Sequence, residues 1–596
     1  MDASLELAVI GNCQVAALLN PLGDLVWACL PRPDGDPIFC SLLQLSRCEA
    51  PRGAFGVELL NCVAHDQAYV RNTAIVTTLL SDGSGNSLRL TDFCPRFRDR
   101  GRMCRPMMFV RLVEPVSGRP QIRVSLAPCR NYGTAAESRV LGSHHLGFSS
   151  ADTEYRVTTD ASLSAVLERR PFVLDGPLAV IIGPDEATAE APLAMARGLL
   201  NTTRLYWEDW VRALALPFDW QGAVIRAAIT LKLSTYEDTG AVLAALTSSI
   251  PEAPDTGRNW DYRYCWMRDS YFVIQALNRL GATRTMEGYL RYINNLVGQT
   301  PVQDLQPVYG IAGEPQLAER IAPALPGYRG MGPVRVGNAA YSQRQNDVYG
   351  ALVLAATQLF YDERLVVRGD AELFARLEQL GDQAVALAGA PDSGPWEMRG
   401  RAQIHSFSAI MCWAACDRLA RIAKRLGMPD RARSWRARAT GVGERALAAA
   451  WSASRRSFVG VFGGTGLDAT LLLLPEVGLL PGSDPRFLAT LRAVEQELVV
   501  DDLVFRYRRE DDFGVPKFAF TTCSFWYANA LVAAGRADEA RDVFTRVLER
   551  RNAVGLLSEH IDPVTGEQWG NFPQTYCMVG IISTAIRLSR SWEEAL

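Results

Sequence analysis

The hydrophobic pattern of the chain changes its period near residue 203, and this change limits the possible folds more than any other feature. In the first part, apolar and polar residues alternate, as at 88–91 and 122–126, which is the period of a half-buried strand. Turn-forming stretches at 81–86 and 117–120 separate such runs. Many short strands divided in this way predict an antiparallel β-sandwich over residues 1–202.

Beyond residue 203 the apolar residues recur with the period of an α-helix. Val224, Ala227, Ala228 and Leu231 share one helical face, and two apolar-rich segments end at a glycine. The predicted helices include 270–280, 351–360, 408–422, 433–450, 485–498, 524–534, 537–550 and 577–590. Residues 203–596 have room for about a dozen helices. That number suits a closed ring of helix pairs, but the pattern alone does not distinguish a ring from a solenoid.

Length and charge narrow the class of protein further. A chain of 596 residues predicts two or three domains. The 62 basic and 65 acidic side chains give a net charge of −3, which argues against a nucleic-acid partner and against an anionic membrane surface. A neutral substrate fits best.

The predicted location is the cytoplasm. The N-terminus lacks the pattern of a secretory signal, and we find no run of about 18 apolar residues that would span a membrane. The 13 cysteines are scattered singly and form no CxxC pair. In a reducing compartment they are expected to be small buried side chains.

Long loops between the helices are rich in Trp, Tyr, Arg and Asp, and we expect them to carry the function. They cover 251–268, 300–345, 391–407 and 553–576. Segment 258–270 combines four aromatic residues with two Asp and three Arg. Sugars are bound by such sets, because aromatic faces cover the C–H face of the ring and charged groups bond its hydroxyls. The plainer interpretation is a helix start, capped by Asp269 or Ser270, with Arg268 in an ion pair.

Two glutamates in these loops are candidates for acid–base catalysis. Glu397 lies between Trp396 and Met398, and apolar neighbours raise a carboxyl pKa as a general acid requires. Glu559 follows an apolar stretch, and its polar neighbours could keep it ionised. From the residues alone, an ordinary surface Glu and a salt-bridging Glu are the stronger interpretations. A further block at 337–347 either binds hydroxyl groups or only stabilises its own loop.

Other catalytic plans find no support in the sequence. The five His include no HExxH or paired spacing, so neither a metal site nor an organic cofactor is implied. We find no GxSxG elbow, Walker loop or dinucleotide-binding fingerprint. The catalytic arrangement that remains is a pair of carboxylates in an aromatic, Arg-rich cleft.

Taken in order, the motifs resemble glycoside hydrolase family 15, the family of glucoamylases and bacterial trehalases. The resemblance covers nearly the whole chain. The matching segments are 11–13, 25–34, 259–269, 309–310, 327–330, 337–347, 396–400, 523–526, 558–559 and 570–574. It implies an N-terminal antiparallel β-sandwich domain, residues 1–202, packed on an (α/α)6-barrel catalytic domain, residues 203–596.

The resemblance also assigns roles to individual residues. Glu397 would protonate the glycosidic oxygen as general acid, and Glu559 would activate water as general base. The reaction would invert the anomeric centre and release glucose, which needs carboxyl groups about 6.5–9.5 Å apart. The substrate-binding residues implied or suggested by position are Trp260, Asp261, Arg268, Asp269, Tyr309, Arg344, Trp396 and Arg399.

The sequence departs from the family pattern at two places. His560 stands where many bacterial relatives carry an acidic residue, and 515–520 lacks their Glu-Gly pair. The Trp-Glu-Met-Arg-Gly form of the acid loop resembles the trehalase branch and favours trehalose as substrate. The alternatives are a glucoamylase-like hydrolase of α-1,4 and α-1,6 gluco-oligosaccharides, a phosphorylase, and a catalytically inactive sugar-binding or regulatory protein. The oligomeric state stays open, with a homo-oligomer among the options.

Overall fold

The N-terminal region is a sandwich of two antiparallel sheets. The computed structural model describes residues 3–45, 52–400 and 402–595. The first sheet consists, in spatial order, of Ala8–Gly11, Ala16–Leu19, Leu25–Leu30, Ala54–Leu59, Gln121–Ala127 and Phe172–Val173, with Asp36–Phe39 beside Leu25–Leu30. The second consists of Arg139–Val140, His145–Ser149, Glu154–Thr159, Leu178–Pro184, Phe109–Ser117, Ser87–Phe93, Val76–Asp82 and Cys62–Tyr69. Inward side chains of both sheets form one apolar core, so the predicted sandwich is confirmed.

The alternation read from the sequence is the one that builds this core. Leu88 and Leu90 are fully buried, whereas Arg89 between them is exposed. Ile122 and Val124 are buried in the same way in the other sheet. Successive side chains of a strand point to opposite faces, so this pattern fixes which face of each strand meets the core.

A long helix, Pro192–Arg212, joins the sandwich to the helical region. It packs against the strands Phe109–Ser117 and Leu178–Pro184 through buried side chains such as Ala196. The boundary that we predict after residue 202 falls within this helix, and it stays a prediction.

The helical region is a closed ring of six inner segments, and closure of the ring decides between the two arrangements that the sequence left open. The inner segments, each in contact with the next and the last with the first, are Ser270–Arg279, Asp347–Ala356, Ser406–Arg425, Ala469–Val477, Thr521–Ala533 and Thr575–Leu588. The fourth is short, a 3-10 helix, Ala469–Leu473, followed by one helical turn, Leu474–Val477. The outer helices are Gln221–Leu233, Thr283–Gln299, Ala371–Leu387, Pro429–Ala450, Pro485–Glu497 and Ala537–Glu549.

Each helix predicted from the sequence is present, with its ends shifted by a few residues. The outer helices Thr283–Gln299 and Ala371–Leu387 were not predicted. Gly381 interrupts the apolar face of the second one. A Cβ at this position would lie 2.2 Å from Leu419 and 2.6 Å from Trp435. The glycine that obscures the pattern is therefore required by close helix packing.

The long loops lie together at one end of the ring, pinned by short antiparallel ladders. Cys265–Trp266 pairs with Val308–Tyr309, and His560–Ile561 pairs with both Ala519–Phe520 and Gln568–Trp569. The other short ladders join 97–99 to 102–104, 129–130 to 134–135, 235–236 to 241–242, 320–321 to 335–336, 451–452 to 457–458 and 499–500 to 503–504. Within the described part of the chain, no helix is long and apolar enough to cross a membrane.

Candidate active site

A cavity lined by aromatic and charged side chains opens among these loops, and such a lining is typical of a small-molecule site. Four of its walls come from the loops that the sequence indicated, at 252–269, 338–343, 395–399 and 574–576. The fifth wall, from Arg506 to Trp526, was not predicted as a loop of the site. Its charged residues lie in a stretch, 506–517, that carries no sugar-binding pattern of its own.

Glu397, the predicted general acid, lines this cavity in a strained conformation. Its φ of +60° lies in the left-handed region, which side chains rarely adopt outside functional sites. The Gln343 amide donates to the Glu397 carbonyl at 3.1 Å, so the block 337–347 supports the acid loop. Oε1 of Glu397 accepts from the Trp266 indole at 2.5 Å and from Arg268 at 3.5 Å.

The electrostatics of Glu397 suit an acid. Burial raises the pKa of its carboxyl group, and the charge of Arg268 and the hydrogen bond from Trp266 offset only part of this effect. A carboxyl group with a raised pKa keeps its proton closer to neutral pH. The environment therefore suits the general-acid role that the resemblance implies, and this role stays a prediction.

Arg268 and Asp269 lie beside Glu397 and also line the cavity. The Arg268 guanidinium donates to Asp269 at 3.1 Å and to the carbonyl of Pro395 at 2.5 Å. Asp269 precedes the helix Ser270–Arg279 but makes no side-chain capping bond. Arg268 thus forms the ion pair of the plainer interpretation, whereas Asp269 faces the cavity instead of capping the helix.

Glu559, the predicted general base, is buried just beneath the cavity and does not itself line it. Its backbone is fixed by the Thr521 N–H, which donates to its carbonyl at 2.9 Å, and by a bond to the Asn571 carbonyl at 3.2 Å. One carboxylate oxygen, Oε2, accepts from the Asn571 N–H at 3.4 Å. The other, Oε1, is buried and has no hydrogen-bond partner within the described residues.

Tyr262 connects the two glutamates. It lines the cavity, and its ring packs edge-on against Trp266 at 5.1 Å. Burial, followed by the negative charges of Glu559 and Glu397, raises the pKa of Tyr262. Both carboxyl groups therefore approach one side chain of the cavity wall. Their expected separation stays a prediction.

Glu252 is a third buried carboxylate at the site, and the sequence did not single it out. It lines the cavity and accepts from Arg506 at 2.7 Å and from the Trp260 indole at 3.0 Å. Although burial raises its pKa, the charges of Arg506, His560 and Arg258 lower it to about 2. Glu252 and Arg506 are separated by 254 positions, so no local pattern could have revealed the pair.

Of the predicted substrate-binding residues, most line the cavity and three do not. Trp260, Arg268, Asp269, Trp396 and Arg399 are in its wall. Asp261 is fully buried beneath it, where it forms an ion pair with Arg263 at 2.8 Å. Tyr309 is buried and bonds to the Gln306 N–H, and Arg344 is exposed away from the cavity. The structure places these three outside the lining of this cavity, and their role in substrate binding stays a prediction.

Comparison with family models matches residues 220–586 to glycosyl hydrolases family 15 and residues 4–154 to a trehalase-like N-terminal region. The chain belongs to glycosyl hydrolase family 15. The trehalase of Mycobacterium tuberculosis is 32% identical, over 99% of this chain and 90% of that protein. The trehalase of Thermoplasma volcanium is 32% identical, over 98% and 93%. The predicted family 15 glycoside hydrolase is thereby confirmed.

Among solved structures, a bacterial glucoamylase complexed with acarbose matches with a TM-score of 0.70 over 99% of this chain and 94% of that one. The two are 14% identical, so this likeness supports the fold alone. It agrees with a sandwich followed by a helical ring.

The rim of the family 15 site is built around Arg399. Its guanidinium lies 4.5 Å from the ring centre of Trp260 and donates to Glu319 at 2.7 Å. The Asp512 carboxylate accepts from the backbone N–H groups of Arg399 at 2.6 Å and Gly400 at 2.9 Å. Segment 507–517 is therefore tied to the acid loop across the cavity mouth.

Within the described residues, one group has the composition of a metal-ligand set, namely Glu252, Glu559 and His560, whose polar atoms lie within 4.8 Å of one another. Arg506 already pairs with Glu252, and its positive charge opposes a cation at this place. We therefore assign the three residues to a polar network of the family 15 site.

Proposed function

We propose that this protein is a trehalase that hydrolyses the α,α-linked disaccharide with inversion, with Glu397 as general acid and Glu559 as general base. The observation that carries this proposal is that both carboxyl groups lie close enough to Tyr262, a residue of the cavity wall, for their charges to raise its pKa. The raised pKa of Glu397 suits proton donation. Glu559 has an unpaired oxygen in the described structure and suits activation of water.

Trehalose as substrate is supported by the relatives. Proteins named trehalase match this chain over nearly its whole length. Buried free thiols also suit the reducing cytoplasm, where we propose that the enzyme acts.

In the proposed reaction, the glucose at the base of the cavity is held by Arg268 and Asp269, whose charged groups suit its hydroxyls. Glu397 gives its proton to the glycosidic oxygen while water attacks the anomeric carbon from the opposite face. Glu559 takes a proton from that water. One glucose is released with inverted configuration, and the leaving glucose keeps its own.

The first test compares initial rates on trehalose, maltose and isomaltose, with NMR of the first-formed anomers. Inverting hydrolysis of trehalose releases α- and β-glucose in equal amounts, whereas retention would release only the α-anomer. A glucoamylase-like enzyme would hydrolyse maltose faster than trehalose. If trehalose is hydrolysed more slowly than both other sugars, the proposal that it is the substrate is wrong. Glucose 1-phosphate formed only when phosphate is supplied would indicate a phosphorylase.

The second test separates the two carboxyl groups by leaving group. Glu397→Gln should lower kcat on trehalose by about 10²–10⁴-fold but should retain activity on α-glucosyl fluoride, because fluoride leaves without a proton. Glu559→Gln should lose both activities. Unchanged rates in both variants would indicate the inactive sugar-binding alternative or a different catalytic pair.

A further inference from the structure

His560 occupies a buried position that catalysis by Glu397 and Glu559 leaves unexplained. It is 1% exposed. Its backbone is held in the central strand of a three-stranded ladder, and its ring packs edge-on against Phe520 at 4.9 Å. Neither ring nitrogen has a hydrogen-bond partner within the described part of the chain. Burying a nitrogen without a hydrogen-bond partner costs folding free energy, so these two nitrogens are candidates for a functional role.

Each nitrogen faces a different carboxylate. Nδ1 lies 3.7 Å from Oε2 of Glu559, and Nε2 lies 3.7 Å from Oε2 of Glu252. An approach of less than 1 Å on either side would give a normal hydrogen bond. The other charged or titratable groups around this cluster include Arg506 and Arg258, which pair with Glu252, and the Tyr262 phenol and Cys577 thiol near Glu559.

Glu252 is suited to remain charged through the reaction, since two arginines stabilise its carboxylate. A neutral His560 that donates its Nε2–H to Glu252 presents the lone pair of Nδ1 to Glu559. In a hydrolase triad a carboxylate, an imidazole and the catalytic group follow one another in this order. The carboxylate orients the histidine and stabilises its protonated form. Here the catalytic group is itself a carboxyl.

We propose that His560 is a positioning residue that removes the proton that Glu559 takes from water and so returns Glu559 to its ionised form. This inference rests on the proposed roles of Glu397 and Glu559. After hydrolysis Glu559 is protonated and Glu397 is ionised. The protonated Glu559 donates from Oε2 to Nδ1 of His560, two atoms that lie 3.7 Å apart, and the imidazolium that forms is stabilised by Glu252. Water then takes one proton from the imidazolium, and His560 is neutral again. Glu397 regains a proton from water, so the enzyme returns to its starting state with no net change.

The test uses His560→Ala with small bases added in solution. We expect kcat to fall by about 10–100-fold, the size typical of a lost supporting partner. Added imidazole should restore activity, and pyrazole, which has the same shape but is a far weaker base, should not. A pH profile completes the test, since restoration should follow the fraction of imidazole that is neutral.

Rescue by pyrazole to the same level would show that His560 only fills space and would overturn the proposal. Unchanged kcat and pH profile in a folded His560→Gln variant would do the same. Thermal unfolding of each variant shows whether the fold is kept. Wild-type turnover of α-glucosyl fluoride does not depend on Glu397, so it separates a failure of the His560 proposal from a failure of the proposed function. If the wild type cleaves the fluoride but not trehalose, the substrate proposal fails while the His560 experiment is still decided on the fluoride.

Discussion

Gly570→Ala should displace the proposed base. Gly570 has a φ of +77°, and a Cβ there would lie 2.7 Å from Cβ and 2.8 Å from Oε2 of Glu559, and 3.1 Å from Nδ1 of His560. Ordinary contact begins near 3.4 Å, so the Glu559 side chain, including its Cβ, would have to move by about 0.7 Å, the gap between 2.7 and 3.4 Å. A misplacement of about 1 Å in a catalytic group can cost about 10²-fold in rate. We expect kcat on trehalose to fall by about 10–10²-fold.

The assay must separate this displacement from the backbone cost of a left-handed alanine, which is about 1–2 kcal/mol. Gly535→Ala is the matched control, because Gly535 has a φ of +81° and a Cβ there would meet nothing within 4 Å. Both variants should lose stability in thermal unfolding, but only Gly570→Ala should lose kcat. Similar kcat in the two variants would refute the idea that Gly570 makes room for the base.

Two further predictions concern buried charge. Burial raises the pKa of Asp347 to about 7, against an ordinary value of 3.8. The folded state thus holds the proton more tightly than the unfolded chain, and wild-type stability falls as pH rises between these two values. Asp347→Asn should gain up to about 1.4 kcal/mol per pH unit relative to wild type over this interval, and parallel unfolding curves would contradict the shift. Asp261→Asn should leave buried Arg263 without its charge partner and destabilise the protein by about 3–5 kcal/mol. A loss below 1 kcal/mol in chemical denaturation would show that Asp261 is not the structural ion pair described here.

The sequence could predict the sandwich and most of the helices because burial repeats locally along the chain. Leu88, Leu90, Ile122 and Val124 show the two-residue period, and the inner helices are apolar enough to be recognised singly. Ring closure could not be predicted in this way, since it depends on contact between Ser270–Arg279 and Thr575–Leu588. Neither segment alone contains a sequence pattern that indicates this contact.

In the site too, local features could be predicted from the sequence and tertiary contacts could not. Aromatic and charged residues crowded into 258–269 predicted a sugar pocket from local composition, whereas Glu397 became the proposed acid only through the resemblance. The resemblance also placed Asp261 at the sugar, and the structure puts it outside the cavity lining, in an ion pair with Arg263. Glu252 and Arg506 were missed because their pairing is a tertiary contact.

The short fourth segment of the ring, Ala469–Val477, and the residue before it form hydrogen bonds to two distant parts of the site. Asp468, directly before it, accepts from the Trp396 indole at 2.8 Å with one oxygen and from the Thr470 N–H at 2.9 Å with the other. The N–H of Ala469 donates to the Arg506 carbonyl at 2.9 Å. One end of this segment therefore fixes the acid loop through Trp396 and the Glu252–His560–Glu559 network through Arg506. The acid loop and the network around the base are therefore bonded to the same segment of the ring, in addition to the bonds from Thr521 and Asn571 that fix the backbone of Glu559.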